Sequence, residues 1–152
     1  MTAPLSIWFV DDLSENRKTW LNSFPEVLRL SHDFQTYASL DLLFSAFKQT
    51  IPDILFLDFF IAEKHGHEVL DYFAHQPERP LLIAHSSSRR ANQALVQAGA
   101  DLCFEKLKGV EKTPAIVAQI RSEEDLEALL ALKGHKQPPS LRHSKAPQNP
   151  LG

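Results

Sequence analysis

Three apolar runs in this chain end in charge. Ile7-Trp8-Phe9-Val10 leads into the acidic pair Asp11-Asp12, Ile54-Leu55-Phe56-Leu57 leads into Asp58, and a third run, starting at Leu102, closes on Lys106. Moving an ionised carboxylate into an apolar medium is strongly unfavourable, so such groups sit at strand ends or are paired. If the strands are parallel neighbours, their carboxyl ends share one sheet edge, where open α/β sheets place their sites. Three carboxylates and one ammonium would then meet in one crevice, an arrangement suited to a divalent cation and a phosphoryl group.

The rest of the chain alternates apolar runs with longer amphipathic segments. Residues 5–10, 34–37, 54–58, 81–84 and 102–106 read as strands. The run at 54–58 is apolar on both pleat faces, as a central strand covered by helices on both sides should be. Ser14 is placed to cap a helix over 14–24 with Trp20, Leu21 and Phe24 on one face, and Pro25 marks its end or a turn. Ser39 is placed to cap a helix to about 49, with Leu40, Leu43, Phe44 and Phe47 at helical spacing. Further helices follow Gly66, with Val69, Leu70 and Phe73 inward, and span 89–98, where Gly99 can terminate the helix in a left-handed conformation.

Thr113-Pro114 starts a last helical stripe through Ile116, Val117 and Ile120. That stripe breaks at Ser122 and resumes at Leu126, Leu129 and Leu130, and Ser122 with Asp125 resembles a capping box. Two helices are expected, with one long helix as the alternative; the stripe over 126–132 is expected to pack back on the domain, with dimerisation as the alternative. The order β-α repeated five times implies an α/β fold, with a parallel sheet and helices on both faces.

Length and composition set limits. The 152 residues suggest one domain with an appendage. A net charge of −3 argues against a nucleic-acid surface. The single cysteine, Cys103, rules out an intrachain disulfide and reads as a small buried hydrophobe. The start Met1-Thr2-Ala3-Pro4 lacks the pattern of a secretory signal, and no apolar stretch approaches the ~18 residues of a membrane span, so a cytoplasmic protein without membrane contact is expected. Residues 135–152 hold four prolines and no acidic residue, and disorder is expected there. The histidines flanking Gly66, His65 and His67, read as surface residues rather than metal ligands, because no third ligand lies nearby in sequence.

These residues resemble the receiver domain of two-component response regulators, the CheY-like family, over about residues 5–121. The resemblance rests on Asp11-Asp12 after the first strand, Asp58 after the third, Gly66 eight residues later, and Ala98-Gly99-Ala100 with Lys106 six residues on. It implies a doubly wound five-stranded sheet of flavodoxin-like order 2-1-3-4-5. The chain is then expected to divide into a receiver over 1–121, an extra C-terminal helix or an extension of the last helix over 122–134, and a disordered tail over 135–152. Asp58 would be the phosphoacceptor. Asp11, Asp12, Asp58 and the backbone carbonyl of Phe60 would hold Mg²⁺, and Lys106 would pair with phosphoryl oxygens. A hydroxyl at the end of the fourth strand would join them. Ala84, His85 and Ser86 compete for that position, and Ser86, which has the hydroxyl, is expected to fill it. The family's switch aromatic is replaced by Cys103, its proline after the lysine by Leu107, and its proline four residues past the acceptor by Ala62.

The chemistry fits these residue types. Mg²⁺ takes one or two carboxylates, waters and phosphate oxygens in near-octahedral geometry. Clustered carboxylates repel one another until a cation neutralises them. A shielded carboxylate is a competent nucleophile toward phosphorus, and phosphoryl transfer is mostly positioning and charge stabilisation. The resemblance therefore implies a receiver phosphorylated by a sensor histidine kinase or a histidine phosphotransfer protein, signalling to an unknown downstream protein. It would be no conventional enzyme, although Mg²⁺-dependent self-phosphorylation and slow autodephosphorylation are expected. The alternative is a degenerate receiver acting as a phosphorylation-independent adaptor; a receiver cut from a longer regulator is a third reading. A dehalogenase-type phosphatase would need a second aspartate where Phe60 stands.

Overall fold

The computed structural model describes residues 3–57, 60–61, 64–65, 67–86, 89–97, 99–105, 117 and 119–133. Its elements in chain order are β1 (Ser6–Val10), α1 (Ser14–Asn22), α2 (Glu26–Ser31), β2 (Asp33–Tyr37), α3 (Leu40–Phe47), β3 (Ile54–Leu57), β4 (Phe60–Ile61), β5 (Lys64–His65), α4 (His67–Ala74), β6 (Leu81–Ser86), α5 (Arg89–Gln97), β7 (Leu102–Glu105) and α6 (Glu123–Leu130). Parallel pairing joins β2, β1, β3, β6 and β7 in that order, and β4 and β5 form a separate antiparallel ribbon. The α/β class, the parallel pairing and the sequence β2-β1-β3-β6 agree with the expectation.

Successive strand side chains point to opposite faces, and the burial pattern follows that alternation. Ile7, Phe9, Ile54, Phe56, Leu81 and Ile83 join one apolar cluster with Trp20, Phe24 and Leu28. Trp8, Val10, Leu55, Leu57, Leu82 and Ala84 join another with Leu40, Leu43, Phe47, Val69, Leu70 and Phe73. Helices therefore cover both faces. All four residues of β3 are fully buried, which is why its sequence carries no polar residue. Burying each such side chain stabilises by about 1.5–3 kcal/mol. Trp20 anchors the first cluster: it stacks on Phe9 at 4.8 Å and meets Phe24 and Phe56 edge-on at 5.1 and 5.5 Å.

Several local features differ from the expectation. Ser14 is not the cap of α1. Leu13 holds that position without a side-chain cap bond, and Ser14 lies in the first turn. The segment expected as one helix over 14–24 ends at Asn22, and α2 follows. Pro25 starts that second helix instead of only ending the first: with φ −61° its carbonyl accepts from Leu28 and Arg29 N–H at 3.0 and 3.1 Å. A proline there loses nothing, since helix-start N–H groups have no intrahelical partner. The β4–β5 ribbon was not anticipated, and β6 extends two residues beyond the expected 81–84.

The caps at Ser39 and Ser122 are as expected. Ser39 accepts from Leu42 N–H. Ser122 and Asp125 form a reciprocal capping box, with Ser122 extended at φ −148°, which excludes one continuous helix through that point. Thr113 and Pro114 lie outside the described residues. Leu126 and Leu129 are buried in the Trp20 cluster, so α6 packs back on the domain. His32 fastens it: its Nδ1 accepts from Leu5 N–H at 2.9 Å, so the ring hydrogen sits on Nε2, which donates to Glu123 at 2.9 Å. Arg121 adds a bond to the Ser23 carbonyl at 3.0 Å.

Candidate functional site

The sheet register defines the site. Tyr37, Val10, Leu57, Ala84 and Cys103 form one continuous row of paired residues across five strands. Val10 is followed by Asp11, Leu57 by Asp58, Ala84 by His85, and Cys103 by Phe104. Parallel pairing makes every strand run the same way, so the carboxyl ends of β1, β3, β6 and β7 share one edge.

Asp11 lies at that edge and is only 1% exposed. Its backbone N–H donates to the Tyr37 carbonyl at 3.0 Å, and its own carbonyl accepts from Arg17 Nη1 at 2.8 Å. One carboxylate oxygen accepts from Leu13 N–H at 2.9 Å and the other from Asn16 Nδ2 at 3.1 Å. Backbone and side chain are thus fixed from four directions. The carboxylate also lies at the start of α1, where the helix dipole favours negative charge. Asp12, by contrast, is exposed. Neither Asn16 nor Arg17 stands out in the sequence. The available signal was position: five and six residues past Asp11, they fall in the first turns of the helix that follows β1.

Tyr37 closes the far end of the row. Burial, and then the nearby Asp33 carboxylate, raise its phenol above the usual value. Its ring lies 4.9 Å from Trp8.

The remaining expected site residues divide into two groups. Ser86 is the last residue of β6 and pairs with Glu105, the residue before Lys106. Ala84, two positions earlier, is fully buried in the sheet interior and has no hydroxyl to offer. Phe60 lies in β4, paired with His65, and His67 opens α4. Asp58, Ala62, Gly66, Lys106 and Leu107 lie outside the described residues. Among the described residues no three His, Cys, Asp or Glu side chains converge on a point that could hold a metal. The carboxylate Asp11 does fit a cation site: it is preorganised, and beside it the Asn16 Oδ1 is buried with no partner among the described residues.

Among the described residues two clefts lie away from this edge. One, of about 350 Å³, is lined by Leu70, Phe73, Gln76, Arg79, Leu82 and Gly99. The other, of about 430 Å³, is lined by Pro52, Asp53, Pro77, Glu78, Arg79 and Lys133, where the strands begin. Among the described residues no helix is long and apolar enough to cross a membrane.

No protein-family model matches the chain, and no curated protein matches it by sequence. Solved structures do. The chain is similar to the Thermotoga maritima response regulator DrrB, an OmpR/PhoB homologue, at 15% identity and a TM-score of 0.60, over 76% of this chain and 50% of that one. It is similar to the signal receiver domain of a DNA-binding response regulator from Colwellia psychrerythraea at 19% identity and a TM-score of 0.59, over 67% of this chain and 85% of that one. It is also similar to NtrX from Brucella abortus at 20% identity and a TM-score of 0.65, over 87% of this chain but 28% of that one. The chain therefore spans about half of DrrB and under a third of NtrX, and its fold is that of response-regulator receiver domains.

Proposed function

We propose that this chain is a receiver that takes a phosphoryl group onto Asp58 from a phosphohistidine of a sensor kinase or phosphotransfer protein, and signals through protein contacts. The observation that carries the reading is Asp11: a buried carboxylate at the carboxyl end of β1, bonded from four directions, with the residue before it in register with the residue before Asp58. A carboxylate held this firmly has lost most of the entropy cost of binding a cation, and pre-organisation of that kind raises affinity.

In this reading Asp11, Asp12, Asp58 and the Phe60 carbonyl would hold Mg²⁺, which would supply charge shielding for the phosphoryl transfer. An Asp58 carboxylate oxygen forms the new O–P bond as the P–N bond to the donor imidazole breaks. Lys106 and Ser86 contact the phosphoryl oxygens. The added charge of about −1.5 to −2 draws these groups inward and changes the surface around β6, α5 and β7 that a downstream protein reads. The receiver occupies 1–121, α6 belongs to an extension over 122–134, and 135–152 form a tail; the setting is cytoplasmic.

Incubation with Mg²⁺ and a small phosphodonor such as acetyl phosphate tests the reading by intact mass. A single phosphoryl adduct that Asp58→Ala removes supports it. An unmodified protein that nevertheless captures the same partner with and without phosphodonor selects the adaptor reading.

A further inference from the structure

Asn16 contains an unexplained atom. The residue is 5% exposed, its Nδ2 donates to Asp11 Oδ2 at 3.1 Å, and its Oδ1 is buried with no hydrogen-bond partner among the described residues. The donor assignment is forced, because a carboxylate oxygen can only accept. The amide therefore presents its nitrogen to Asp11 and keeps a bare acceptor on the same carbon. Leaving a buried acceptor unsatisfied is costly, and native chains do so seldom. An apolar residue at this position would avoid that cost, and the site then calls for something that donates to Oδ1.

The surroundings restrict the donor. Among the described residues, Leu13 N–H serves one oxygen of Asp11 and Arg17 serves its carbonyl, and neither bond goes to Asn16 Oδ1. A bare anion would be repelled by the neighbouring carboxylate. Water polarised by a divalent cation on Asp11 is a strong donor, and Mg²⁺ retains several of its waters when protein-bound. Partners one layer out from the metal commonly set affinity and orientation.

We propose that Asn16 is a positioning residue of the cation site, holding Asp11 through Nδ2 and accepting through Oδ1 a hydrogen bond from a Mg²⁺-bound water. The inference rests on the phosphoacceptor reading, since it assumes that Asp11 takes a cation. It makes the site selective for ions that keep their water: Ca²⁺, which replaces water with direct oxygen ligands, has less use for Oδ1.

The test is calorimetric titration of Mg²⁺ and of Ca²⁺ into the full chain, without phosphodonor, for the wild type, Asn16→Ala and Asn16→Ser. Near-ultraviolet circular dichroism of the buried tryptophans checks that each variant is folded. Asn16→Ala should weaken Mg²⁺ about tenfold, at the low end of the range for such partners, and Ca²⁺ distinctly less. Asn16→Ser, which keeps a hydroxyl able to donate and accept, should recover part of the Mg²⁺ loss. Equal losses for both ions would reduce Asn16 to an orienter of Asp11 and overturn the proposal, as would Mg²⁺ binding unchanged in Asn16→Ala. If the wild type binds neither ion, the phosphoacceptor reading itself fails.

Discussion

Replacing Leu129 by alanine tests whether α6 is part of the domain or an attachment. Leu129 is fully buried in the cluster that also contains Trp20, Phe24 and Leu28. The substitution removes three carbon atoms, worth about 2.4 kcal/mol at roughly 0.8 per buried CH₂. A cavity term adds to this, and measured Leu→Ala changes in other cores span about 2.7–5.0 kcal/mol. We expect a loss of about 3 kcal/mol. With a urea m-value of about 2 kcal/mol/M the midpoint should fall by about 1.5 M, with m unchanged. Trp20 lies in the same cluster, so its fluorescence reports the transition directly. Leu30→Ala is the internal control: Leu30 is 80% exposed, and its loss should stay within about 0.5 kcal/mol. If Leu129→Ala costs no more than Leu30→Ala, α6 is not docked in solution and the packing account of this helix is wrong.

Two further predictions concern stability elsewhere in the fold. Asp101, 3% exposed, accepts from Leu82 N–H at 2.8 Å and pairs with Arg79; Asp101→Ala should cost about 2–3 kcal/mol in urea unfolding, because it leaves a buried N–H without a partner while Arg79 regains water. Tyr37 holds its proton more tightly when folded than when unfolded, through burial first and Asp33 second. Its contribution is thus complete below the ordinary value of 10.0 and is lost as pH rises through the folded value. Thermal melts across that alkaline window should fall less steeply for Tyr37→Phe than for the wild type.

Much of the fold could be read from the sequence, because burial on both faces of a sheet leaves a plain mark. Ile54-Leu55-Phe56-Leu57 has no polar residue and proves to be buried throughout; Ser39 and the Ser122–Asp125 pair announce helix starts by local chemistry that distant contacts do not alter. What escaped was short or long-range. The β4 and β5 strands have two residues each, too few to show a period, and α2 has six. The bond between His32 and Glu123 joins residues 91 apart, and no pattern along the chain foretells it. At the site, the acidic positions stood out because charge after an apolar run is conspicuous. Asn16 did not, because a polar residue early in a helix is ordinarily solvated; only its burial beside Asp11 gives it meaning.

The central claim is that a divalent cation binds where the strands end. Titration with paramagnetic Mn²⁺, followed by amide NMR line broadening, tests it most directly. The account predicts broadening centred on residues 11–13 and 57–60, reaching 85–86 and 105–106, and sparing α6 and the strand starts near Ser6, Asp53 and Leu81. Broadening centred on those strand starts, or none at millimolar Mn²⁺, would contradict it.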